Sequence, residues 1–475
     1  MMKSFKMPRI VFGALKGGSG KTLISVGVVA ALRKRGLKVA VFKKGPDYID
    51  AGWLGLAGGV DCHNLDAYLF SETTILDSFV SRSSGYDISI IEGNRGLFDG
   101  VDAAGTFGTA ELAKLLKAPL LLIIDSTKMT RTAAALTLGC KTLDPELLLE
   151  GVIINRVAGQ RHCRILTESI ENLCSVPVVG SINKLGLQSF PQRHLGLLPL
   201  HEHPEAMRFI EQALEIVENS VDIERLLRIA NHSSDFTLMS DSKDQGHLSQ
   251  KHESVVVGVL KDSAFQFYYP ENLEALTATG ARLQEINSLE PRVLPEIDAL
   301  YIGGGFPETN AERLADNFTF RDSLRKAVEN GLPIYAECGG LMYLSRNLQI
   351  DENNYPMVGI FEMDSVLAMR PQGHGYIHVK TVRENPFYPV GTSLVGHEFH
   401  YSYVANICAD SSNFAFEVTR GHGIDGRHDG VFRKNALATY AHVHALGEPL
   451  WAKGILDMAK KYKRQRTVAY KQKII

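Results

Sequence analysis

The chain is short of several things, and each shortage excludes a class of protein. Its six cysteines are scattered without paired spacing, so neither a disulfide framework nor a zinc site is indicated. Neither sign of charge is in excess. Lys and Arg total 51 against 53 for Asp and Glu, which argues against a chain held on nucleic acid by phosphate contacts. No apolar run approaches the length of a membrane span. The opening Met1-Met-Lys-Ser-Phe-Lys-Met-Pro8 contains no apolar signal region. A cytoplasmic protein with neither a nucleic-acid nor a membrane partner is the expectation.

What is present is a chain of 475 residues, too long for one ordinary core. The first half alternates short β-branched runs with helical stretches. Residues 9–14, 38–43, 87–91, 119–125 and 151–155 read as buried strands, and 28–35, 110–116 and the run after Thr130 as helices. Such alternation predicts an α/β domain with a mostly parallel sheet covered by helices. Residues 231–253 are rich in Ser, Asp, Lys, Gln and His and read as a polar linker. A second α/β pattern begins with strand-like 255–260. The expected division is an ATP-binding domain over 1–230, the linker, a second α/β domain over 254–450, and a basic tail over 451–475. The tail's Lys460-Lys-Tyr-Lys-Arg-Gln-Arg466 reads as a solvated charged end.

Lys16-Gly-Gly-Ser-Gly-Lys-Thr22 follows the first strand and opens a helix. The backbone N–H groups of Gly17, Gly18, Ser19 and Gly20 can point inward at phosphate. Lys21 adds a cation for the β and γ oxygens, and Thr22 a hydroxyl for Mg²⁺. Leu15 stands where the usual pattern has its first glycine, and Lys16 fits a variant that begins with lysine. A chance glycine-rich turn is the competing reading, and the strand–helix context speaks against it. Asp47, Asp50 and Glu92 leave the ends of the next two strands, where open α/β sheets bind ligands, and are candidate metal ligands. Asn155 ends another strand and is a candidate adenine contact.

Leu332-Pro-Ile-Tyr-Ala-Glu-Cys-Gly-Gly340 reads as strand, tight turn and helix. At such an elbow Cys338 projects from the sheet, and the helix N-terminus is expected to lower its pKa. A buried structural cysteine is the alternative. The thiol needs a base, for which His442 is the first candidate; His444, His397 and His400 are the others. Backbone N–H groups of Gly304 and Gly305, at the end of another strand, are candidates for an oxyanion hole.

Together these segments resemble the cobyrinate a,c-diamide synthase family: the phosphate loop, Gly45-Pro-Asp-Tyr-Ile-Asp50, Glu92 with Leu97-Phe-Asp-Gly100, Gly303-Gly-Gly-Phe-Pro-Glu308, the cysteine elbow and Gly396-His-Glu-Phe-His-Tyr-Ser402. The resemblance covers nearly the whole chain. It implies a dethiobiotin-synthetase-like ATP domain fused to a class I glutamine amidotransferase domain. It further implies Mg²⁺ and ATP, with glutamine as nitrogen donor and a corrinoid whose c and then a acetate groups become amides. Asp47, Tyr48 and Asp99 become candidate substrate contacts. Two departures stand out. Lys16 is typical of dimerising partition-type ATPases, which makes a homodimer one expectation and a switch ATPase the rival class. His444 stands where most triad amidotransferases carry a glutamate, so no third triad member is evident; the family is known to lack it. Hydrogenobyrinate and nickel-sirohydrochlorin are alternative substrates for the same chemistry.

Overall fold

The computed structural model describes residues 2–184, 192–193, 196–197, 205–239, 254–407 and 413–474. The chain divides into two compact units, Met1–Gly246 and His247–Ile475.

The first unit is built on a seven-stranded sheet. Its order is Cys62–Leu65, Val39–Lys44, Ile88–Glu92, Arg9–Ala14, Leu120–Asp125, Leu149–Val157 and Val178–Asn183, and every pairing is parallel. Strands Arg9–Ala14, Val39–Lys44 and Leu120–Asp125 are buried at every position, as expected when helices cover both faces. The helix Lys21–Lys34 lies against the sheet with its Ile24, Val28, Ala31 and Leu32 in the core, beside Phe209, Ala213 and Val217 of the helix Ala206–Ser220.

The first residues of the linker expected from residue 231 are ordered structure instead. The helix Ile223–Asn231 is followed by the strand Phe236–Met239, which pairs antiparallel with Met2–Phe5. Arg9 is the anchor. Wholly buried, its guanidinium donates to the carbonyls of Met7, Leu116, Lys117 and Ser234 and lies 4.3 Å from the Phe236 ring centre. Burial draws its pKa down to about 10. The rest of the expected linker, 240–253, lies outside the described residues.

The second unit carries a ten-stranded sheet. Ala281–Ile286, Val255–Leu260, Ala299–Ile302, Ile334–Glu337 and Ala436–Thr439 are successive parallel neighbours. An antiparallel extension follows through His428–Arg433, Asn413–Arg420, Gly373–Thr381, Ser393–His400 and His442–Val443. The tail read as solvated is instead the helix Leu450–Ile474. Trp451, Ala452, Ile455, Leu456 and Ala459 are buried in the core of this unit, and Arg466 pairs with Asp298 at 2.8 Å. The buried stripe precedes the basic run, and within that run Lys463 and Arg466 turn inward to buried Asp298, which composition alone does not reveal. Among the described residues no helix is long and apolar enough to cross a membrane.

Candidate active sites

In the first unit the loop after strand Arg9–Ala14 turns through Gly18 and Gly20, both at positive φ. A side chain at Gly20 would put its Cβ 2.3 Å from Asn155 Nδ2. Glycine is therefore required both by conformation and by close approach. Asn155 donates to the Ser19 carbonyl (2.8 Å), which braces the loop, and accepts from the Arg156 N–H (2.9 Å), which fixes its own amide. Arg156 donates to the Gly18 carbonyl and pairs with Asp125 at 2.7 Å. Lys16, largely exposed, reaches the same Asp125 at 3.6 Å.

Lys21 is buried, and its ammonium donates to the Arg95 carbonyl at 2.8 Å. Burial, and then the neighbouring Lys43, lower its pKa. The Thr22 hydroxyl donates to Glu92 Oε1 at 3.0 Å. The same oxygen accepts from Lys43 at 2.9 Å, and Lys43 also meets Asp50 at 2.9 Å and Asp47 at 4.0 Å. Thr22, Asp50 and Glu92 are thus gathered around a lysine that was not anticipated. Burial alone would lower the Lys43 pKa, yet Asp50, Glu92 and Asp47 together hold it well above the usual value. Burial and the adjacent Asp50 lift Asp47 to about 7, and burial raises Glu92. The Asp47 carboxylate also caps the Asp50 N–H at 2.9 Å. Asp99 accepts from the Gly96 N–H at 3.1 Å, on the loop that supplies the Arg95 carbonyl.

Among the described residues no group of three or more His, Cys, Asp or Glu side chains forms a metal cage by itself. Mg²⁺ needs none, because it keeps waters and takes one or two carboxylates plus phosphate oxygens. The residues present fit that pattern. Glu92 Oε2 is buried without a hydrogen-bond partner, and the Thr22 hydroxyl and Asp50 supply further hard oxygens beside it.

In the second unit strand Ile334–Glu337 ends at Cys338, whose φ of 46° and ψ of −97° make a strained elbow before the short helix Gly339–Leu344. Cys338 N donates to the Thr439 carbonyl at 2.8 Å, and its thiol lies 3.9 Å from the Phe399 carbonyl. The expected fall in thiol pKa is not found. Burial, and then Glu308, push it far up, and the Gly339 N–H offsets only part of this. A helix of six residues offers little dipole, and a dry site disfavours the thiolate more.

Three residues beyond Thr439, His442 lies on the short strand paired with His397. A Cβ on Gly304 would stand 2.5 Å from His442 Cε1, and one on Gly339 3.0 Å from Gly305 N. The glycine strand end, the elbow and His442 therefore meet. Nδ1 of His442 is 3.5 Å from Glu337 Oε2. His444 does not share that environment. It stands 3.6 Å from Glu271 and packs against Tyr269. His400 lies flat on Tyr440, with Nδ1 at 2.7 Å from the Ser402 carbonyl. Buried Asp429 accepts from the Thr439 hydroxyl and the Tyr440 N–H, anchoring the segment that leads to His442.

Lys43 and Glu337 escaped sequence reasoning. The signal for both was charge at the end of an otherwise apolar strand: Lys43 is next to last in Val39–Lys44, and Glu337 is last in Ile334–Glu337.

Fold and sites together define a phosphate-loop nucleotide-binding domain joined to a cysteine–histidine amidotransferase domain. Family models agree. Residues 10–195 match the CobQ/CobB/MinD/ParA nucleotide binding domain, and 256–450 the CobB/CobQ-like glutamine amidotransferase domain. The chain is 41% identical over 453 residues to a cobyrinate a,c-diamide synthase of Magnetococcus marinus, covering 94% of this chain and 96% of that protein. It is 39% identical to the Archaeoglobus fulgidus enzyme of the same name, covering 96% and 98%. The chain belongs to the cobyrinate a,c-diamide synthase family, whose general chemistry is ATP- and glutamine-dependent amidation.

Proposed function

We propose that this protein amidates the a and c acetate carboxylates of cobyrinate, using ATP and glutamine, in cobalamin biosynthesis. The observation that carries the reading is likeness to cobyrinate a,c-diamide synthases over both units at once, with a candidate site intact in each.

A free carboxylate is a poor electrophile, so activation must come first. In the first unit the substrate carboxylate attacks the γ-phosphorus of ATP and ADP leaves. The loop N–H groups from Gly17 to Thr22 and the Lys21 ammonium offset the charge on the transferring group. Thr22, Glu92 and Asp50 would hold Mg²⁺, which when bound offsets phosphate charge. Asp47, Tyr48 and Asp99 are assigned to the carboxylate substrate, and Asn155 to the nucleotide end through the loop it braces.

In the second unit the Cys338 thiol gives its proton to His442, and the sulfur attacks the glutamine carboxamide carbon. N–H groups near Gly304 and Gly305 receive the oxyanion. The C–N bond breaks as His442 returns the proton to the departing ammonia, and water then hydrolyses the thioester to glutamate. Because burial keeps the resting thiol protonated, the base is required rather than auxiliary. Ammonia displaces phosphate from the acyl phosphate and forms the amide.

The test is to supply cobyrinate, hydrogenobyrinate and nickel-sirohydrochlorin separately with ATP and amide-labelled glutamine, and to weigh the products. Two labelled nitrogens on cobyrinate are expected. Labelling of another macrocycle in preference would move the substrate assignment. ATP hydrolysis with no amide formed from any of them would favour the partition-type switch suggested by Lys16.

A further inference from the structure

We propose that Glu337 is the positioning residue of the cysteine site, orienting His442 through Nδ1 so that Nε2 faces the thiol. The proposal rests on the glutaminase reading of the second unit. It fills the place that His444 leaves vacant in the linear pattern.

Glu337 is completely inaccessible, and it closes a strand whose other residues are Ile334, Tyr335 and Ala336. A buried carboxylate is costly unless it is paired or fully hydrogen-bonded. Three elements converge on it. Tyr301, on the neighbouring strand, donates its hydroxyl to Oε2 at 3.0 Å. The Val443 N–H donates to Oε1 at 3.2 Å. His442 Nδ1 is 3.5 Å from Oε2. The carboxylate therefore fixes the backbone of the residue after His442 by a hydrogen bond and brings His442 Nδ1 within ion-pair reach, which sets the register of His442 and places a carboxylate beside its ring.

Adjacency in sequence raises a geometric question. Consecutive strand residues point to opposite faces, so Glu337 and Cys338 would normally diverge. The positive φ at Cys338 breaks that alternation at the strand end. Thiol and carboxylate can then both serve one histidine. Gly304 closes the other side of the ring, since a Cβ there would stand 2.5 Å from Cε1 and 3.3 Å from Nε2. His444 cannot substitute, because it faces Glu271 and its Nδ1 accepts from the Leu446 N–H at 3.2 Å. In the proposed tautomer Nδ1 carries its proton toward Glu337, 3.5 Å away, so the unprotonated Nε2 can take the thiol proton, and the imidazolium so formed keeps a carboxylate beside it.

The experiment measures glutamate release from glutamine by the full chain and its variants. Glu337→Gln keeps the shape but loses the charge. Its kcat should fall about 100-fold or more while KM changes less than about threefold, the signature of a group that acts in the transition state. Glu337→Asp should recover part of that loss. Tyr301→Phe, which removes a different partner of the same carboxylate, should cost less than about tenfold. A Glu337→Gln enzyme within about threefold of the wild-type kcat would overturn the proposal. Should that variant fail to fold, ¹⁵N-histidine NMR of the wild-type protein decides. The Nδ1–H tautomer of His442 near neutral pH supports the assignment, and the Nε2–H tautomer overturns it. A wild-type chain that releases no glutamate at all would instead sink the glutaminase reading, a separate outcome.

Discussion

The two units put their sites in the same place and treat charge in opposite ways. Each site forms where parallel strands end, outside the carboxyl edge of the sheet. In the first unit the edge is crowded with ions: Asp47, Asp50 and Glu92 stand around Lys43, and Lys21 is close enough to feel them. In the second unit no such cluster among the described residues surrounds the sulfur, and burial pushes the Cys338 thiol pKa up. The difference follows from what each site must receive. In the proposed reaction the first would receive a polyanion, and its charges are already gathered and balanced against one another. The other creates charge only when substrate arrives, so it needs a proton acceptor fixed in position. A shared topology thus supplies location alone, and the side chains at the strand ends decide the chemistry.

The contrast can be broken most sharply at Lys21. Lys21→Ala should lower amide synthesis by about 1,000-fold or more with either glutamine or ammonium salts, since the phosphate cation is lost. Glutamate release from glutamine by the second unit should persist. Product mass and glutamate assays read the two results, and synthesis from ammonium surviving in this variant would remove the first site from the reaction. Cys338→Ser is the mirror image. Glutamine-dependent synthesis should fall to background while ammonium-driven synthesis stays near wild type.

Lys43 tests the stored charge. Lys43→Met leaves buried Glu92 and half-buried Asp50 without their cation and should destabilise the first unit by about 3 kcal/mol at neutral pH, read by denaturant unfolding. An unchanged midpoint would mean that the carboxylates are compensated elsewhere. The smallest effect expected is a slope. Asp47 is raised to about 7 from an ordinary 3.8, so between about pH 4 and 7 the folded state binds a proton that the unfolded state does not. Its contribution to stability is greatest below that window and declines as pH rises through it. Asp50 is lowered and acts with the opposite sign below the window. Asp47→Asn should therefore flatten the unfolding free energy between about pH 4 and 7, and an unaltered slope would refute the assignment.

Much of this was legible in the chain. The five inner strands of the first sheet were visible because residues buried on both faces form apolar runs, such as Leu120–Asp125, whereas the edge strands Cys62–Leu65 and Val178–Asn183 carry polar residues and were missed. The phosphate loop and the cysteine elbow were visible because glycines at fixed spacing mark backbone that few other residues can adopt. The basic tail was misread because composition counts residues without regard to face, and its buried stripe from Trp451 to Ala459 emerges only at helical spacing. The strand Phe236–Met239 was missed for a related reason: its partner, Met2–Phe5, lies at the far end of the unit's sequence. The thiol pKa was expected to fall because a local motif promised a helix dipole, and burial by distant residues reversed the sign.

What the sequence determined by itself was the local chemistry: a loop whose N–H groups can face phosphate, carboxylates at strand ends, and a cysteine at a turn. Local spacing suffices there because adjacent residues share one backbone geometry. Only the tertiary structure decided which groups meet. It set Lys43 among three carboxylates, gave His442 and His444 different glutamates, and raised the Cys338 thiol. Those outcomes depend on burial and on contacts such as Glu337 with Val443, 106 residues apart, which no local pattern encodes.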